Sequence, residues 1–442
     1  MPEDQSFHLN PQVWDVSRRR LPEKEETGGL TKAQMRAREN WVVRLKFTQD
    51  ETADEKVGTG FFLNIPKAKW YIILTAGHNL IDQSGNPSKS LIIQRHNHEP
   101  MKPLDPPPFV CPSYRRGGNP DDDYGVILIP RRFQESKDPR KAPESLDADL
   151  GFGFALNLGH ENLRKKKLEL AGYFPREKED GKAQKTDELE PLDISSGECL
   201  AARPGHLEYK IETAQGLSGS PVFMPYNGHE AVVAIHNNGP ARPGKGSTGA
   251  RLNATVLKQI FEWADLSQRR KTLRVAPEKP EKNKEPDPLY LHFTPGEEAA
   301  WVHWSEEDLN TRFDVFPAYA PTPRVAASML HVFQLVPPPD WPESRQGRQW
   351  VLWNAMENDV VLTDTLQRFC FVELKQSKKG KMFSVVVKLN DAGREQRLSC
   401  LVMNGDDFDE EVDLNISGIT FEKYTSGKPV KYNTFDWYDL PA

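Results

Sequence analysis

The chain has 442 residues, a net charge of −6 and a pI near 6.1. At about 150 residues per domain, this length allows two or three domains. The acidic balance argues against nucleic acid as the main partner, because nucleic-acid-binding proteins concentrate Lys and Arg to neutralise phosphates. Gly and Pro number 30 and 36, fewer than a disordered or collagen-like chain carries. We therefore expect a folded protein.

The sequence shows no signal for membrane insertion or secretion. No apolar run approaches the roughly 20 residues that a membrane-spanning helix needs, and residues 1–20 lack the apolar core of a signal peptide. The cysteines are well separated and show no CxxC spacing: Cys111, Cys199, Cys370 and Cys400. Neither a disulfide scaffold nor a cysteine-rich zinc site is indicated. We expect a cytoplasmic protein with free thiols and no membrane partner.

The chain begins with a polar segment and continues with strands. Residues 1–35 show no hydrophobic period and carry the basic run 18–20, so they predict an N-terminal arm whose charges are solvated or form a localisation or processing signal. In 41–47 every second residue is apolar, as in a half-buried strand. Similar apolar segments predict strands at 58–65, 70–78, 125–129, 168–174, 206–212, 220–224 and 231–236.

A helix and a linker are predicted to end the first domain. Apolar residues recur at helical spacing after Asn253, a good N-cap, which predicts an amphipathic helix over 254–266. Residues 267–288 consist mainly of charged residues and prolines, which predicts a linker. Residues 289–442 contain several strand-like runs and six of the ten tryptophans, which predicts a second β-rich domain. We expect these indoles to form core, with a carbohydrate or peptide platform as the alternative.

Three fragments carry residue types that together support nucleophilic catalysis. TAGH ends in His78, DDDYGVILI contains Asp123, and GLSGSPVF contains Ser218. A serine hydroxyl needs a base within hydrogen-bond reach, and the base needs a buried carboxylate that fixes its tautomer. The small residues around Ser218 permit a tight turn that aims backbone N–H groups at a developing oxyanion. The sequence thus predicts a Ser-His-Asp site.

Neighbouring residues offer alternatives to this assignment. Asp121 and Asp122 precede Asp123, but only Asp123 adjoins the apolar strand, and the other two fit a solvated loop. Ser220 is the rival nucleophile, although it precedes a proline and lacks glycines on both sides. His96 and His98 have a spacing that suits a metal, but no third ligand is evident near this Pro-rich segment, which favours a surface loop. No metal or other cofactor is implied.

The same fragments resemble the chymotrypsin-like serine proteases, and within them the glutamyl endopeptidases. TAGH is similar to the Thr-Ala-(Ala/Gly)-His segment of this family, and PSYRRGGNPDDDYGVILI to its Pro-x-Tyr loop and Asp-bearing strand. GLSGSPVF resembles the Gly-Asn-Ser-Gly-Ser-Pro-Val-Phe segment, LELAGYFP the Gly-Tyr-Pro strand, and AVVAIHNNG the Gly-Ile-His-x-Gly-Gly segment. The resemblance covers about 36–266, with the motifs in family order.

The resemblance implies roles for six residues. His78 would be the general base and acid, Asp123 the residue that orients it, and Ser218 the nucleophile. The backbone N–H groups of Gly216 and Ser218 would form the oxyanion hole. Thr213 and His236 would form the floor of the specificity pocket and bind an acidic side chain on the acyl side of the scissile bond. An imidazolium can bind a carboxylate through a charge-assisted hydrogen bond.

Several positions depart from the family pattern. Asn237 and Asn238 stand where the family prefers Gly or aromatic residues, which bears on the shape of the specificity pocket. Leu217 stands where trypsin-type zymogens carry an Asp that captures the new N-terminus, so that activation switch cannot operate here. Asn79 follows His78 in place of the half-cystine of secreted relatives, which fits a reducing compartment.

The sequence analysis therefore predicts an all-β protein with a double β-barrel, trypsin-like protease domain at 36–266, a C-terminal helix in that domain, and a second β-rich domain. The predicted activity is that of a serine endopeptidase that hydrolyses peptide bonds after Glu or Asp in protein or peptide substrates. The alternative is a catalytically silent protease fold that serves as a scaffold. In either case the C-terminal domain is a candidate for binding a partner protein.

Overall fold

The computed structural model describes residues 38–131 and 150–275 apart from 50–53, 66–67, 97, 104, 157, 174–191, 227–228 and 241–244. Beyond these it describes 289–293, 299–303, 311–319, 330–337, 341, 349–354, 359–364, 366–367, 370–376, 383–388, 395–402, 417–423 and 435–439. The predicted arm at 1–35 lies outside the described residues. The described chain divides into an N-terminal unit up to Leu266 and a C-terminal unit from Ser267.

The N-terminal unit begins with an antiparallel sheet in the order β4-β1-β2-β3-β6-β5. Its strands are β1 (Val42–Thr48), β2 (Glu55–Leu63), β3 (Trp70–Thr75), β4 (Lys89–Arg95), β5 (Phe109–Val110) and β6 (Gly125–Pro130). In β1, Val43, Leu45 and Phe47 are buried while the residues between them are partly exposed, as the alternation predicts. The sheet therefore has one face that packs into a core.

A second set of strands closes into a barrel. Its strands are β7 (Gly153–Phe154), β8 (Lys167–Gly172), β9 (Asp193–Ala202), β10 (His206–Tyr209), β11 (Pro221–Tyr226), β12 (His229–Asn238) and β13 (Ser247–Arg251). Pairing runs β11-β8-β9-β10-β13-β12 and returns to β11, while β7 pairs in parallel with β12. Closure leaves no free edge among the six strands of the ring, and apolar side chains fill its interior.

Helices also contribute to this unit, and two of them lie wholly within the described residues. The short α1 (Pro112–Gly117) ends at Gly118, whose φ of 64° gives a left-handed cap. The helix α2 (Ala254–Trp263) begins as predicted, with the Asn253 side chain accepting a hydrogen bond of 2.9 Å from the Val256 N–H. It ends three residues before the predicted boundary because Asp265 has a φ of 54°, and the N–H of the next residue, Leu266, bonds the Phe261 carbonyl at 2.8 Å.

The helix α2 contacts both sheets of the N-terminal unit. Trp263 stacks on Phe109 of β5 with ring centroids 5.6 Å apart. Phe261 packs against Phe154 of β7 with ring centroids 5.3 Å apart. Because the helix buries aromatic surface against a strand of each sheet, it fixes the two sheets relative to each other.

The C-terminal unit is also built of strands. They are β14 (Gln268–Val275), β15 (Leu289–Phe293), β16 (Ala299–His303), β17 (Arg312–Ala318), β18 (Leu330–Val336), β19 (Gln349–Asn354), β20 (Asp359–Thr363), β21 (Val372–Gln376), β22 (Phe383–Lys388), β23 (Glu395–Val402), β24 (Ser417–Lys423) and β25 (Phe435–Asp439). Pairing through β14-β17-β18-β21-β22-β25 returns to β14. Trp341, Trp350 and Trp353 are buried, which agrees with the prediction that the indoles form core.

The predicted linker is wrong at its start. Residues 268–275 form β14, which pairs with β15, β17 and β25 inside the C-terminal unit. Thr272 and Leu273 are fully buried although charged residues flank them. The composition of 267–288 as a whole is charged and rich in proline, and it gave no sign of a short strand whose partners lie far away in sequence. The rest of the predicted linker, 276–288, lies outside the described residues.

The prediction of a mostly β fold with a double-barrel domain and a second β-rich domain is confirmed by this topology. Within the described part of the chain, no helix has the length and apolar character needed to cross a bilayer. Cys111, Cys199 and Cys370 are buried and form no disulfide bond among the described residues.

Candidate active site

His78 and Asp123 meet where two neighbouring strands of the first sheet end and begin. A 3-10 turn, Gly77–Asn79, directly follows β3 and carries His78, while Asp123 directly precedes Tyr124 and β6. The two oxygens of Asp123 bind the same residue: Oδ1 accepts from the His78 backbone N–H at 2.9 Å, and Oδ2 lies 2.7 Å from Nδ1. The carboxylate is 3% exposed. This arrangement fixes the ring so that Nε2 remains for a substrate or nucleophile.

The two neighbouring aspartates have other partners. Asp121 Oδ1 lies 3.2 Å from His206 Nδ1, and Asp122 accepts a hydrogen bond of 3.4 Å from the Asn119 side chain. Desolvation, followed by the neighbouring charge of Asp121, raises the pKa of Asp122. Asp123 is thus the member of this acidic run that contacts His78.

Ser218 lies on a tight turn with a glycine on each side of the Leu217–Ser218 pair. Gly216 and Gly219 have φ values of 97° and 92°, which side chains rarely allow. A Cβ on Gly219 would lie 2.0 Å from the Thr59 carbonyl oxygen. Leu217 points the other way and is fully buried in the barrel core. Packing on one side and backbone contact on the other hold the turn.

The turn anchors its carbonyl groups and leaves two N–H groups without a partner. The Ser218 carbonyl accepts from the Thr59 N–H and from Asn79 Nδ2, both at 2.8 Å. The Gly216 carbonyl accepts from Thr59 Oγ1 at 2.8 Å. Neither the Gly216 N–H nor the Ser218 N–H has an acceptor among the described residues. Fixed donors of this kind can stabilise a developing negative charge.

A cavity of about 530 Å³ brings the candidate residues together. His78, Asp123, Thr213, Ser218 and His236 all line it, and Gly216 follows directly after two lining residues. By contrast, the rival nucleophile Ser220 is fully buried and is not among the residues that line this cavity. Of the two serines, Ser218 is the one placed where a substrate can enter.

His236 is held deep in the cavity wall by a tyrosine. It is 2% exposed, and its Nδ1 lies 2.7 Å from the Tyr209 hydroxyl oxygen. Tyr209 in turn donates to the Thr248 carbonyl at 3.0 Å. The pKa of His236 is lowered to about 4, mainly because burial desolvates the ring; a hydrogen bond with the Thr248 backbone opposes this shift, and the nearby charge of His78 adds to it. The imidazole is therefore neutral near pH 7.

Thr213 belongs to a second chain of hydrogen bonds. Its Oγ1 lies 3.0 Å from Ser247 Oγ, and Ser247 donates to the Ile211 carbonyl at 2.8 Å. Ser247 is fully buried, so this chain is shielded from water.

Sequence reasoning did not find several residues that organise the site. Asn79 was noted only as a departure from the half-cystine, yet its side chain bonds both Thr75 Oγ1 at 2.9 Å and the Ser218 carbonyl. Asn237 donates to the Pro120 carbonyl at 2.8 Å and so steadies the turn before Asp123. Tyr209 lies within the predicted strand 206–212, and the sequence analysis gave it no role in the site. No local motif signals any of these contacts, because each joins distant parts of the chain.

The predicted surface loop with His96 and His98 shows no metal-ligand set. His96 lies 3.9 Å from Glu39, and no group of three or more His, Cys, Asp or Glu side chains converges within the described ranges.

The chain is similar to several solved protease structures, at low sequence identity. No family model matches the chain, and no curated protein matches it. Among solved structures, it is similar to a thermostable serine protease, AL20, from an extremophilic microorganism (13% identity, covering 52% of this chain and 98% of that one, TM-score 0.37). It is also similar to the protease Anisep from Arthrobacter nicotinovorans (16%, 51% and 95%, TM-score 0.37) and to a Glu endopeptidase solved with MPD (18%, 51% and 90%, TM-score 0.37). At these identities and scores, the similarities assign no activity to this chain.

Proposed function

We propose that the protein is a serine endopeptidase in which His78, Asp123 and Ser218 form the catalytic triad. The observation that carries this proposal is the double contact of buried Asp123 with His78 in a cavity that Ser218 shares. A solvated loop would give no reason for a buried carboxylate to bind both the backbone and the ring of one histidine. The arrangement suits a base whose tautomer must be fixed.

In this proposal the reaction is acyl transfer. Nε2 of His78 accepts the Ser218 hydroxyl proton as Oγ attacks the peptide carbonyl, and the imidazolium then gives that proton to the leaving amine. The N–H groups of Gly216 and Ser218 bind the oxyanion. Water then hydrolyses the acyl-enzyme with His78 again as base. Ser218 Oγ has no hydrogen-bond partner among the described residues, and contacts of this kind commonly tighten when substrate binds.

The specificity pocket is proposed at Thr213 and His236. Both line the same cavity as the triad, which supports a polar side chain as the residue on the acyl side of the cleaved bond. The sequence resemblance predicts Glu or Asp there. Gln and Asn have nearly the same shape as these acids, so the hydrogen-bond character of the pocket decides between a carboxylate and a carboxamide.

A fluorophosphonate probe tests the proposal directly. We expect wild-type protein to gain one adduct by intact mass, S218A to gain none, and S220A to label like the wild type. H78A should slow labelling strongly because the hydroxyl loses its base. If folded wild-type protein is not labelled, the triad assignment is wrong and the scaffold alternative is favoured. Partner binding by residues 289–442 stays a prediction.

A further inference from the structure

Two polar atoms at the specificity pocket can be assigned as hydrogen-bond donors or acceptors. These atoms belong to His236 and Thr213, and each is bonded to a buried neighbour that already has a carbonyl acceptor. A hydroxyl has only one hydrogen to donate. In each of the two series of hydrogen bonds, the position of that hydrogen decides whether the pocket atom acts as a donor or an acceptor toward a ligand.

The first chain runs through Tyr209. Its hydroxyl donates to the Thr248 carbonyl at 3.0 Å, so its single hydrogen is used. The 2.7 Å contact with His236 is then made by Nδ1–H donating to the tyrosine oxygen. This arrangement satisfies all three atoms, and it leaves Nε2 of the neutral ring with a lone pair. Since Nδ1 is occupied, Nε2 is the ring atom left for a ligand in the cavity, and it is an acceptor.

The second chain runs through Ser247. Its hydroxyl donates to the Ile211 carbonyl at 2.8 Å, so the 3.0 Å contact between Ser247 and Thr213 must use the hydrogen of Thr213. Thr213 Oγ1 therefore has only lone pairs to offer a ligand. The pocket presents two acceptors.

The charges around the pocket point the same way. Among the described residues that line the cavity there is no Lys or Arg. Tyr209, the hydrogen-bond partner of His236, is kept uncharged because burial raises its pKa well above 10. His78 disfavours a second positive charge on His236, while a hydrogen bond with the Thr248 backbone partly offsets this effect. A carboxylate in this pocket would be buried without a counter-charge, or it would have to bring a proton with it.

We propose that this pocket selects a side-chain carboxamide, Gln or Asn, over the corresponding carboxylate. The proposal rests on the endopeptidase function proposed above and refines its substrate class. An amide nitrogen has two N–H donors, which match the two acceptors on His236 and Thr213, whereas a carboxylate has none. Tyr209 and Ser247 are positioning residues, because each sets the hydrogen-bond polarity of the residue that faces the substrate.

The proposal predicts that the preference between Glu and Gln depends on pH. Binding of Glu requires one proton more than binding of Gln, on either the imidazole or the carboxylate. The ratio of kcat/KM for Glu to that for Gln should therefore rise as pH falls, by up to about tenfold per pH unit. Both substrates share the steps at His78, so that ionisation cancels in the ratio.

The experiment uses the full chain and matched fluorogenic peptides that differ only in Gln, Glu, Asn or Asp before the cleaved bond, assayed from pH 6 to pH 9. We expect Gln to exceed Glu by at least about tenfold in kcat/KM at pH 8. A preference for Glu at pH 8, or a ratio that does not change with pH, would overturn the proposal. Peptides left uncleaved by protein that fluorophosphonate does not label would instead refute the endopeptidase function.

Two variants test the two acceptors. S247A removes the hydroxyl that takes the Thr213 hydrogen, so Thr213 becomes able to donate to a carboxylate. We expect the Glu to Gln ratio to rise about tenfold, the value of one hydrogen bond to a charged group. T213V keeps the shape and removes the acceptor, so kcat/KM for Gln should fall about tenfold with little change for Glu. Equal effects on both substrates would mean a structural role only and would count against the proposal.

Arg242 supplies a control for a counter-charge, because it follows Gly239, a residue that lines the cavity, by three positions in the sequence. R242A should leave the Glu to Gln ratio unchanged. A wild-type preference for Glu that disappears in R242A would show that a cation defines the pocket, and the proposal would be wrong.

Discussion

His78 and His236 line the same cavity, but the Nδ1 atom of one contacts a charged group and that of the other contacts a neutral group. His78 is partly exposed and its Nδ1 meets the Asp123 carboxylate, whereas His236 is buried and its Nδ1 meets the Tyr209 hydroxyl. A carboxylate stabilises an imidazolium that forms beside it, while a phenol in a dry site offers no charge. The partner of Nδ1, more than the histidine itself, therefore decides whether a ring exchanges protons or stays neutral.

Removal of the charge beside His78 should have the largest effect. D123N replaces an acceptor oxygen by an amide, which favours the wrong tautomer of His78. We expect kcat to fall by about 10⁴-fold while the fold is retained. Steady-state hydrolysis of the best peptide measures this, and D122N is the matched control, expected within about twofold of wild type because Asp122 does not contact His78. A loss in D122N as large as that in D123N would contradict the assignment.

The buried neutral ring should make folding sensitive to acid. The pKa of His236 is about 4 when folded and 6.5 when exposed, so the unfolded chain takes up the proton first as pH falls. The stability is fully present above pH 6.5 and is lost as pH falls toward 4, by up to about 3 kcal/mol. Urea unfolding of wild type and H236Q at pH 7.5 and pH 5 measures it. H236Q should lose less stability than wild type over this interval, and equal losses would contradict the neutral ring.

Removal of the Tyr209 hydroxyl should affect His236 without affecting His78. Y209F leaves Nδ1–H of His236 and the Thr248 carbonyl without their shared partner, which should cost about 1–3 kcal/mol of stability. Selectivity for Gln over Glu should fall, because the ring is no longer held as an acceptor. Peptide kinetics beside thermal unfolding separate the two effects. Labelling by fluorophosphonate should persist, since Tyr209 contacts neither His78 nor Ser218; its loss in a folded variant would show that the two histidines are not independent.

Substitution of Asn237, which holds the turn before Asp123, should have the smallest effect on catalysis. Asn237 donates to the Pro120 carbonyl, which also accepts from the Asp123 N–H at 3.3 Å. N237A should lower kcat about tenfold, with KM little changed and the pH profile of kcat/KM altered, because the carboxylate grips His78 less firmly. N237D, which cannot donate there as a carboxylate, should behave like N237A. If N237D matched wild type, the hydrogen bond would be irrelevant to catalysis.

Local patterns were enough to predict much of the fold but not all of it. Strands with alternating or continuous apolar residues, such as β1 and β3, were predicted near their observed limits. The strand β9 was missed because most of its side chains are partly or fully exposed, and its neighbours β8 and β10 define it. The strand β14 was missed because its partners β17 and β25 lie far along the chain.

The same distinction applies to the candidate site. His78, Asp123 and Ser218 stand in short fragments whose chemistry can be read locally. The polarity of the pocket depends on Tyr209, which is 27 residues from His236, and on Ser247, which is 34 residues from Thr213. Such hydrogen bonds form between strands that the barrel brings together, so no local motif in the sequence predicts them.

The buried side chain of Leu217 should couple the activity of the proposed enzyme to the folding of its barrel. The turn that bears Ser218 is secured by an apolar side chain within the barrel core, so its geometry forms in the same cooperative event that builds the barrel. Catalytic competence should then appear with folding itself and be lost at the same urea concentration as the barrel.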